Sequence, residues 1–591
     1  MNITYKTIIS SIIAVYAIQS IDAQTAAKDT LLNRQVSLER EYTPTIQDAS
    51  KINTLPALHE PQKKQYDIRF ENAAPSVNFA SYPIGDTGSG DIRTGITSSK
   101  QRGYLNFGAG MYSNLEGALG YRIVDAPNDQ LDLFGTHNST NGKIKYLNGT
   151  EAYDEEKAKN MENFIKARYS HKFETATWYL SGSFLNNGFN YYGNPNIFST
   201  FSPSANIVSA DNKNVSENQS VNIFEVETGV NSIESSDNLN YSASLKYNRF
   251  SSKYSSDMAE DGPRGNIIDA KVDLSQPFFS DKKVGIRGNL FYQKYDGHTN
   301  NYSNEQNDLY HNLTILRANP YLKIDNGDVR LLIGANINWA IDASNKFAVA
   351  PTVDLSWNFN DNSLLYLNVD GGINDNSFIN IYKENRYINP IGRVNISKTL
   401  YDARLGIRSG AITGFEFDIF GGYKYTNDNH LYIQTQTTSW NNVSDVLYAN
   451  MGEGHFGGAI KTKLIPYTDL SIKAIAHFYN LSKYSNDIVF SEKKAWGLPT
   501  LTFDFNADFS FIENLILTAN YQFEGGRKTW NGTGATSMKS INELNFKASY
   551  HVLEWLSLYA KVNNVLSQKY ERYYGYTLQG INASAGFNLT F

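Results

Sequence analysis

From about residue 102 to its last residue the chain alternates apolar and polar side chains in steps of two, and this periodicity constrains its fold more than any other feature. The closing stretch INASAGFNLTF sets Ile581, Ala583, Ala585, Phe587, Leu589 and Phe591 on one face and Asn582, Ser584, Gly586, Asn588 and Thr590 on the other. FAVAPTVDLSWNF (347–359) and LTFDFNADFSF (501–511) repeat the scheme, with inward charges such as Asp504 and Asp508 opposite a phenylalanine column. Strands of a parallel α/β sheet are apolar on both faces and do not alternate in this way. Nowhere does the chain offer the roughly eighteen consecutive apolar residues of a membrane-crossing helix. A bilayer without helices admits only a closed barrel, because every backbone donor and acceptor must then be paired between strands. The expected fold is all-β: a transmembrane antiparallel β-barrel over residues 102–591.

Composition agrees. Aromatic residues make up 13% of the chain, led by 40 Tyr and 32 Phe, while mean hydropathy is only −0.44. That pairing suits a wall with lipid on one side, water on the other and aromatic girdles at both interfaces. A net charge of −6 lacks the basic footprint of a nucleic-acid binder. The absence of cysteine excludes disulfides, thiolate metal sites and a lipidated N-terminal cysteine.

The connections alternate in length. Short turns are expected near 125–129, 172–176, 234–238, 279–283, 325–328, 358–363, 409–414, 465–469, 511–514 and 551–555. Longer Asn/Ser/Gly-rich loops are expected near 137–160, 188–218, 252–263, 297–308, 373–390, 484–495, 526–537 and 564–577. Outer-membrane barrels carry short periplasmic turns and long external loops, and this pattern gives about 22 strands with both ends on the periplasmic side.

Upstream, residues 1–23 read as a signal peptide: Lys6 precedes an apolar run from Ile8 to Ile18, and Ala23 offers a cut before Gln24. Residues 24–101 carry Pro44, Pro56, Pro61, Pro75 and Pro83 with little alternation. They are expected to form an extended arm, either a plain leader or a segment that enters the lumen or meets a periplasmic partner.

Catalytic patterns are sparse. The nine histidines are scattered, and no nucleophile elbow, phosphate loop or dinucleotide fingerprint stands in context, so neither an enzyme nor a cofactor or metal site is expected. GAGMYSNLEGALG alternates as a hairpin, its glycines permitting curvature and close packing. The candidate ligand-binding residues are Phe189, Tyr191, Tyr192 and Phe198 of GFNYYGNPNIF, flat rings among amides that suit a sugar ring or a peptide. The plainer expectation is that they form an interfacial girdle or pack the loop onto its neighbours.

The last fifty residues resemble the C-terminal end of TonB-dependent outer-membrane receptors, in the style of Bacteroidota. The resemblance rests on Asn564, Val565, Leu566, Tyr570, Gly575, Tyr576, Gly580 and Phe591; Thr577, Gln579 and Ile581 depart from it. The segment 427–464 also resembles the family's repeating barrel segments. The resemblance implies a nutrient transporter or gated channel in the outer membrane of a Gram-negative cell. It also implies TonB-type energy coupling and contacts with membrane lipids and the barrel-insertion machinery. Phe587, Leu589 and Phe591 would then serve barrel closure and assembly. One departure is large: residues 24–101 do not show the pattern of the family's plug domain. A barrel of this size is too wide for its own side chains to fill, so closure is expected from the arm, from inward-folded outer loops or from a partner. The alternative function is a non-transporting subunit that anchors an assembly, secretion or surface-lipoprotein complex.

Overall fold

The computed structural model describes residues 101–591 except 151–152, 195–196, 198–217, 234–237, 255–260, 280, 297–311, 342–345, 391–393, 436–441, 485–491 and 532–533. The expected signal peptide, and the arm up to residue 100, lie outside the described residues. No helix among the described residues is long and apolar enough to cross a membrane.

Twenty-two strands form one antiparallel sheet in which each pairs with the next in sequence. The last strand, Asn582–Thr590, closes the ring on the first, Gly103–Gly110, with Leu105 opposite Leu589 and Phe107 opposite Phe587. At the end of this seam the Phe591 carbonyl accepts from the N–H groups of Arg102 and Gly103, at 2.6 and 2.8 Å. Its ring lies 5.8 Å from that of Tyr121. A Cβ on Gly586 would fall 2.2 Å from the Phe107 carbonyl oxygen, so the seam requires glycine there.

The alternation assigns the faces. Phe347, Val349 and Trp357 are exposed while Ala348 and Ala350 are buried, and the same parity recurs around the wall. Large exposed apolar side chains on the outer face, with polar and charged ones inward, are what a lipid-facing wall requires.

The ten expected short turns fall between strands that pair as hairpins and share one end of the barrel, residues 234–237 and 280 among them lying outside the described residues. The opposite end carries the longer connections. One expectation needs correction: 137–160 is a hairpin of strands Asp129–Thr150 and Tyr153–Lys172, not a loop. A bilayer needs only about 9–11 residues per strand, so this hairpin projects well past it. Its charges pair across the ribbon, Lys143 with Glu155 at 2.5 Å and Lys145 with Asp154 at 3.9 Å. A polar two-stranded ribbon therefore holds where composition suggested a coil.

Four tyrosines stiffen the inner wall by one repeated device. Tyr179, Tyr321, Tyr366 and Tyr559 each lie over a glycine of a neighbouring strand, respectively Gly229, Gly285, Gly406 and Gly586. Each hydroxyl donates to a carboxylate at 2.7–2.8 Å: Glu227, Asp273, Asp418 and Glu116. Each ring also carries a cation, from Arg168 at 4.1 Å to Arg408 at 5.6 Å. Aromatic cover of glycine in a sheet both fills space and fixes register. Asp418 is buried, so Tyr366→Phe removes a donor it needs. The expected cost is about 1–2 kcal/mol in reversible urea unfolding from liposomes. Gly406→Ala should cost more, because its Cβ would meet the Tyr366 ring at 2.3 Å.

Candidate functional site

The connection after strand Ser363–Asn374 turns into the lumen. It begins with a short helix, α1 (Phe378–Glu384), whose Ser377 side chain accepts from the Asn380 N–H at 3.4 Å. Phe378, Ile379, Ile381 and Tyr382 are its buried residues. Seven residues cannot hold a helix in water, so packing must stabilise it.

That packing is against the inner wall. Phe189, Ile223, Phe250, Ile267, Phe291 and Ile315 form one apolar cluster with the buried face of α1. Their sequence neighbours Phe224, Ile268, Leu290 and Leu316 are exposed on the outer face, which identifies the cluster as luminal. The Phe378 ring stacks on Phe250 at 5.6 Å, and its N–H donates to the Tyr295 hydroxyl at 3.2 Å. The Tyr382 hydroxyl donates to Asn187 Oδ1 at 2.5 Å. Beyond the helix, the Ser444 N–H donates to the Tyr387 carbonyl and the Asn389 N–H to the Ser444 carbonyl, both at 2.8 Å. These bonds make Ile388 and Ser444 a parallel bridge.

Tyr387 is the centre of an aromatic knot. Its ring stacks on Tyr576 at 4.0 Å and meets Phe189, Tyr191 and Tyr192 edge-on at 5.7–6.4 Å. Hydroxyls tie the knot to backbone: Tyr191 to the Ile388 carbonyl, Tyr192 to Thr577 and Tyr576 to Asn442. Burial raises the pKa of the Tyr387 hydroxyl, so it stays a neutral donor. The candidate residues Phe189, Tyr191 and Tyr192 thus turn toward one another and toward the inward segment, not toward lipid; Phe198 lies outside the described residues. Phe587, Leu589 and Phe591 stand at the seam and take no part in this knot.

The residues that carried the family resemblance shape the knot's other side. Gly575 has φ +84°, and a Cβ there would fall 2.3 Å from Asn442 Nδ2, so only glycine fits beside Tyr576. Asn564, also at positive φ (51°), accepts from the Gln568 N–H at 3.0 Å and donates to the Gln568 carbonyl at 2.8 Å, closing its turn. Tyr570 donates to Glu543.

The inward segment is therefore dry on one side and wet on the other. Its apolar side fills the lumen against the wall from strand Ala176–Asn190 onward. Its other side borders a cavity of about 520 Å³ toward the first and last strands. Tyr192, Tyr387 and Tyr573 present rings to this space among Asn and Gln side chains. Four of its charged residues are held in ion pairs: Glu116 with Lys561 at 2.5 Å, Arg572 with Glu524 at 2.6 Å, and Glu384 with His430 at 2.6 Å. Arg386 donates to Asn160. Such a surface offers ring faces and hydrogen bonds without a strong field of either sign. Among the described residues, no group of three or more His, Cys, Asp or Glu could hold a metal ion.

A buried pair buttresses the last connection. Arg527 is 2% exposed and donates to the carbonyls of Glu571, Lys539 and Arg572 at 2.8–3.1 Å. Burial lowers its pKa to about 10, so it remains charged at neutral pH. Glu571 is 3% exposed; burial outweighs the Gly575 N–H, Arg527 and Thr577 and raises its carboxyl from 4.5 to about 7. A raised carboxyl favours the protonated, folded form. The stabilisation it gives is complete below pH 4.5 and is lost as pH rises through 7. Hydrogen exchange over 564–580, corrected for intrinsic rate, should speed up by roughly tenfold or more between pH 5.5 and 8.5. Glu571→Gln should abolish that change.

No family model and no curated protein matches the chain. Solved structures do. The siderophore receptor PirA from Acinetobacter baumannii is 10% identical, with 84% of this chain and 81% of that one covered at a TM-score of 0.60. The FrpB iron transporter from Neisseria meningitidis is 11% identical, with 84% and 82% covered and a TM-score of 0.62. The copper transporter OprC is 12% identical, with 83% and 80% covered and a TM-score of 0.59. At such identity the likeness is one of fold, and the fold expected from the C-terminal residues is the fold observed.

Proposed function

We propose that this chain is a TonB-receptor-like barrel of the outer membrane that takes up a nutrient, and that its ligand occupies the cavity beside the inward segment. The observation that carries this reading is the division of the lumen into a dry, packed side and one polar, aromatic cavity. A receptor needs both: occlusion against leakage and a recess on the path of entry. The fold likeness to a siderophore receptor, an iron transporter and a copper transporter supports uptake as the class of function. Among the described residues the cavity lining contains no His, Cys or Met, which argues against a soft transition-metal ion as the ligand. Residues 24–101, which precede the first strand on the short-turn side, would carry energy coupling to the periplasm.

The test is mass spectrometry of the protein purified from outer membranes in mild detergent. A small molecule should co-purify and be retained at least about tenfold less by Arg386→Ala combined with Tyr573→Ala, a loss of roughly 1.4 kcal/mol or more. A barrel that is empty of ligand yet stoichiometrically bound to other envelope proteins would instead mark an anchoring subunit and defeat the uptake reading.

A further inference from the structure

The hairpin of strands Phe415–Thr435 and Val443–Thr462 crosses the long-loop mouth of the barrel. Pairing with the flanking strands stops at Asn427 opposite Lys398 on one side and at Ala449 opposite Tyr484 on the other. Beyond those points, residues 429–435 and 443–449 pair with each other, and the Ile388–Ser444 bridge is their one further backbone pairing among the described residues. Register shifts at Thr426/Asn429 and at Asn450/Met451 mark the base of this ribbon, and Asp428 there sits at φ +53°. Such irregularities bend a strand away from its sheet. At the far end Asn442 reaches Asn194, which follows strand Ala176–Asn190, half-way round the ring of 22 strands. The ribbon is therefore a strap across the lumen.

Its sides and its tip are held differently. On one face Leu431, Ile433 and Leu447 bury themselves against Trp496. The other face meets the inward segment through the Ile388–Ser444 bridge and a hydrogen bond from the Tyr432 hydroxyl to Glu384 at 2.8 Å. At the tip, beside the rings of the knot, the fastening is one polar residue. Asn442 is 1% exposed. Its Nδ2 donates to the carbonyls of Asn194 and Tyr574 at 3.4 and 3.3 Å, both long, and its backbone carbonyl accepts from the Tyr576 hydroxyl at 2.7 Å. Its Oδ1 is buried and meets no donor among the described residues. An amide oxygen buried in this way loses its hydration without replacement.

The slot that receives Asn442 is shaped for it. A Cβ on Gly193 would fall 2.6 Å from its Nδ2, and one on Gly575 would fall closer still. Gly193 follows Tyr192 and Gly575 precedes Tyr576, both of which border the cavity. A side chain that is fitted sterically but only partly satisfied by hydrogen bonds suits a joint that has to part. We propose that Asn442 is a releasable latch: the mouth opens when it leaves the Gly193–Gly575 slot and the strap bends at its irregular base. That this opening admits a ligand to the cavity rests on the uptake reading above.

Single cysteines report access in intact cells, because the native chain has none. Asn138→Cys lies in the cavity lining, and Asn141→Cys is exposed on the projecting hairpin. Each is treated with a maleimide too large for general porins, so that reagent arrives from outside alone, and only protein running as the compact, heat-modifiable band is scored. Asn141→Cys should react quickly in every background. Asn138→Cys should react slowly beside the native latch. It should react at least about tenfold faster with Gly193→Ala, which wedges the slot, or with Asn442→Asp, which places a charge in it. Equal rates at Asn138→Cys in every background overturn the latch. Faster labelling in both variants, with no small molecule co-purifying with the native protein, upholds the latch and defeats the uptake reading alone.

Discussion

Replacing Asp375–Asn389 by a short Gly-Ser linker should raise single-channel conductance in planar bilayers by roughly tenfold or more, toward that of an open aqueous barrel. The lumen of a barrel this wide is not filled by wall side chains. Its outer half is filled because α1 carries four apolar residues into the cluster of Phe189, Phe250 and Phe291. A milder variant, Phe378→Ser with Ile381→Ser, keeps the segment but removes two buried anchors. Each loss is worth about 2–5 kcal/mol, and each 1.4 kcal/mol shifts a closed-to-open ratio tenfold. Long openings should therefore appear against a quiet background. Deleting residues 24–101 in the same recordings separates the two candidate seals. If that deletion alone opens the pore while both loop variants stay silent, the arm closes the barrel and α1 does not.

Gly586→Val should all but abolish assembled barrel in the outer membrane, by about tenfold or more, read as loss of the compact, heat-modifiable band. Gly586 faces the lumen at the closing seam, where a Cβ would lie 2.2 Å from the Phe107 carbonyl oxygen and 2.5 Å from the Tyr559 hydroxyl. Backbone cannot yield there without breaking the pairing of first and last strands, and an open edge in lipid leaves a full row of donors and acceptors unpaired. Ala585→Val is the control: Ala585 is exposed on the outer face of the same strand and should assemble normally. Normal assembly of Gly586→Val would mean that the seam is in a different register.

Much of the wall was readable from sequence because the bilayer imposes a strict rule. Period-two alternation in Phe347–Phe359 and in Leu501–Phe511, with turns such as DNGD at 325–328, leaves few other solutions. The hairpin around 137–160 misled because its alternation involves Lys, Glu and Asn, and a ribbon stabilised by cross-strand charge looks like a loop by composition. The candidate site was half visible. Phe189, Tyr191 and Tyr192 stood out as aromatics, but nothing local to them names Tyr387 or Tyr576, which come from connections far along the chain. Ser377 followed by apolar residues at 378, 379, 381 and 382 is a capped amphipathic turn, hidden within a stretch that composition marks as loop. The Tyr366–Gly406–Asp418 unit is likewise invisible until register brings three strands together.

The disulfide most directly diagnostic of luminal closure joins the inward segment to the wall. Ile388 and Ser444 form a β-bridge, so their Cα atoms are close enough for a disulfide, and no native cysteine competes. In Ile388→Cys with Ser444→Cys, the intramolecular disulfide should form in intact outer membranes, be reversed by dithiothreitol, and leave conductance as low as in the unmodified protein. Two free thiols, both alkylated by a membrane-impermeant maleimide in untreated cells, would contradict the account, because the segment would then lie outside the lumen.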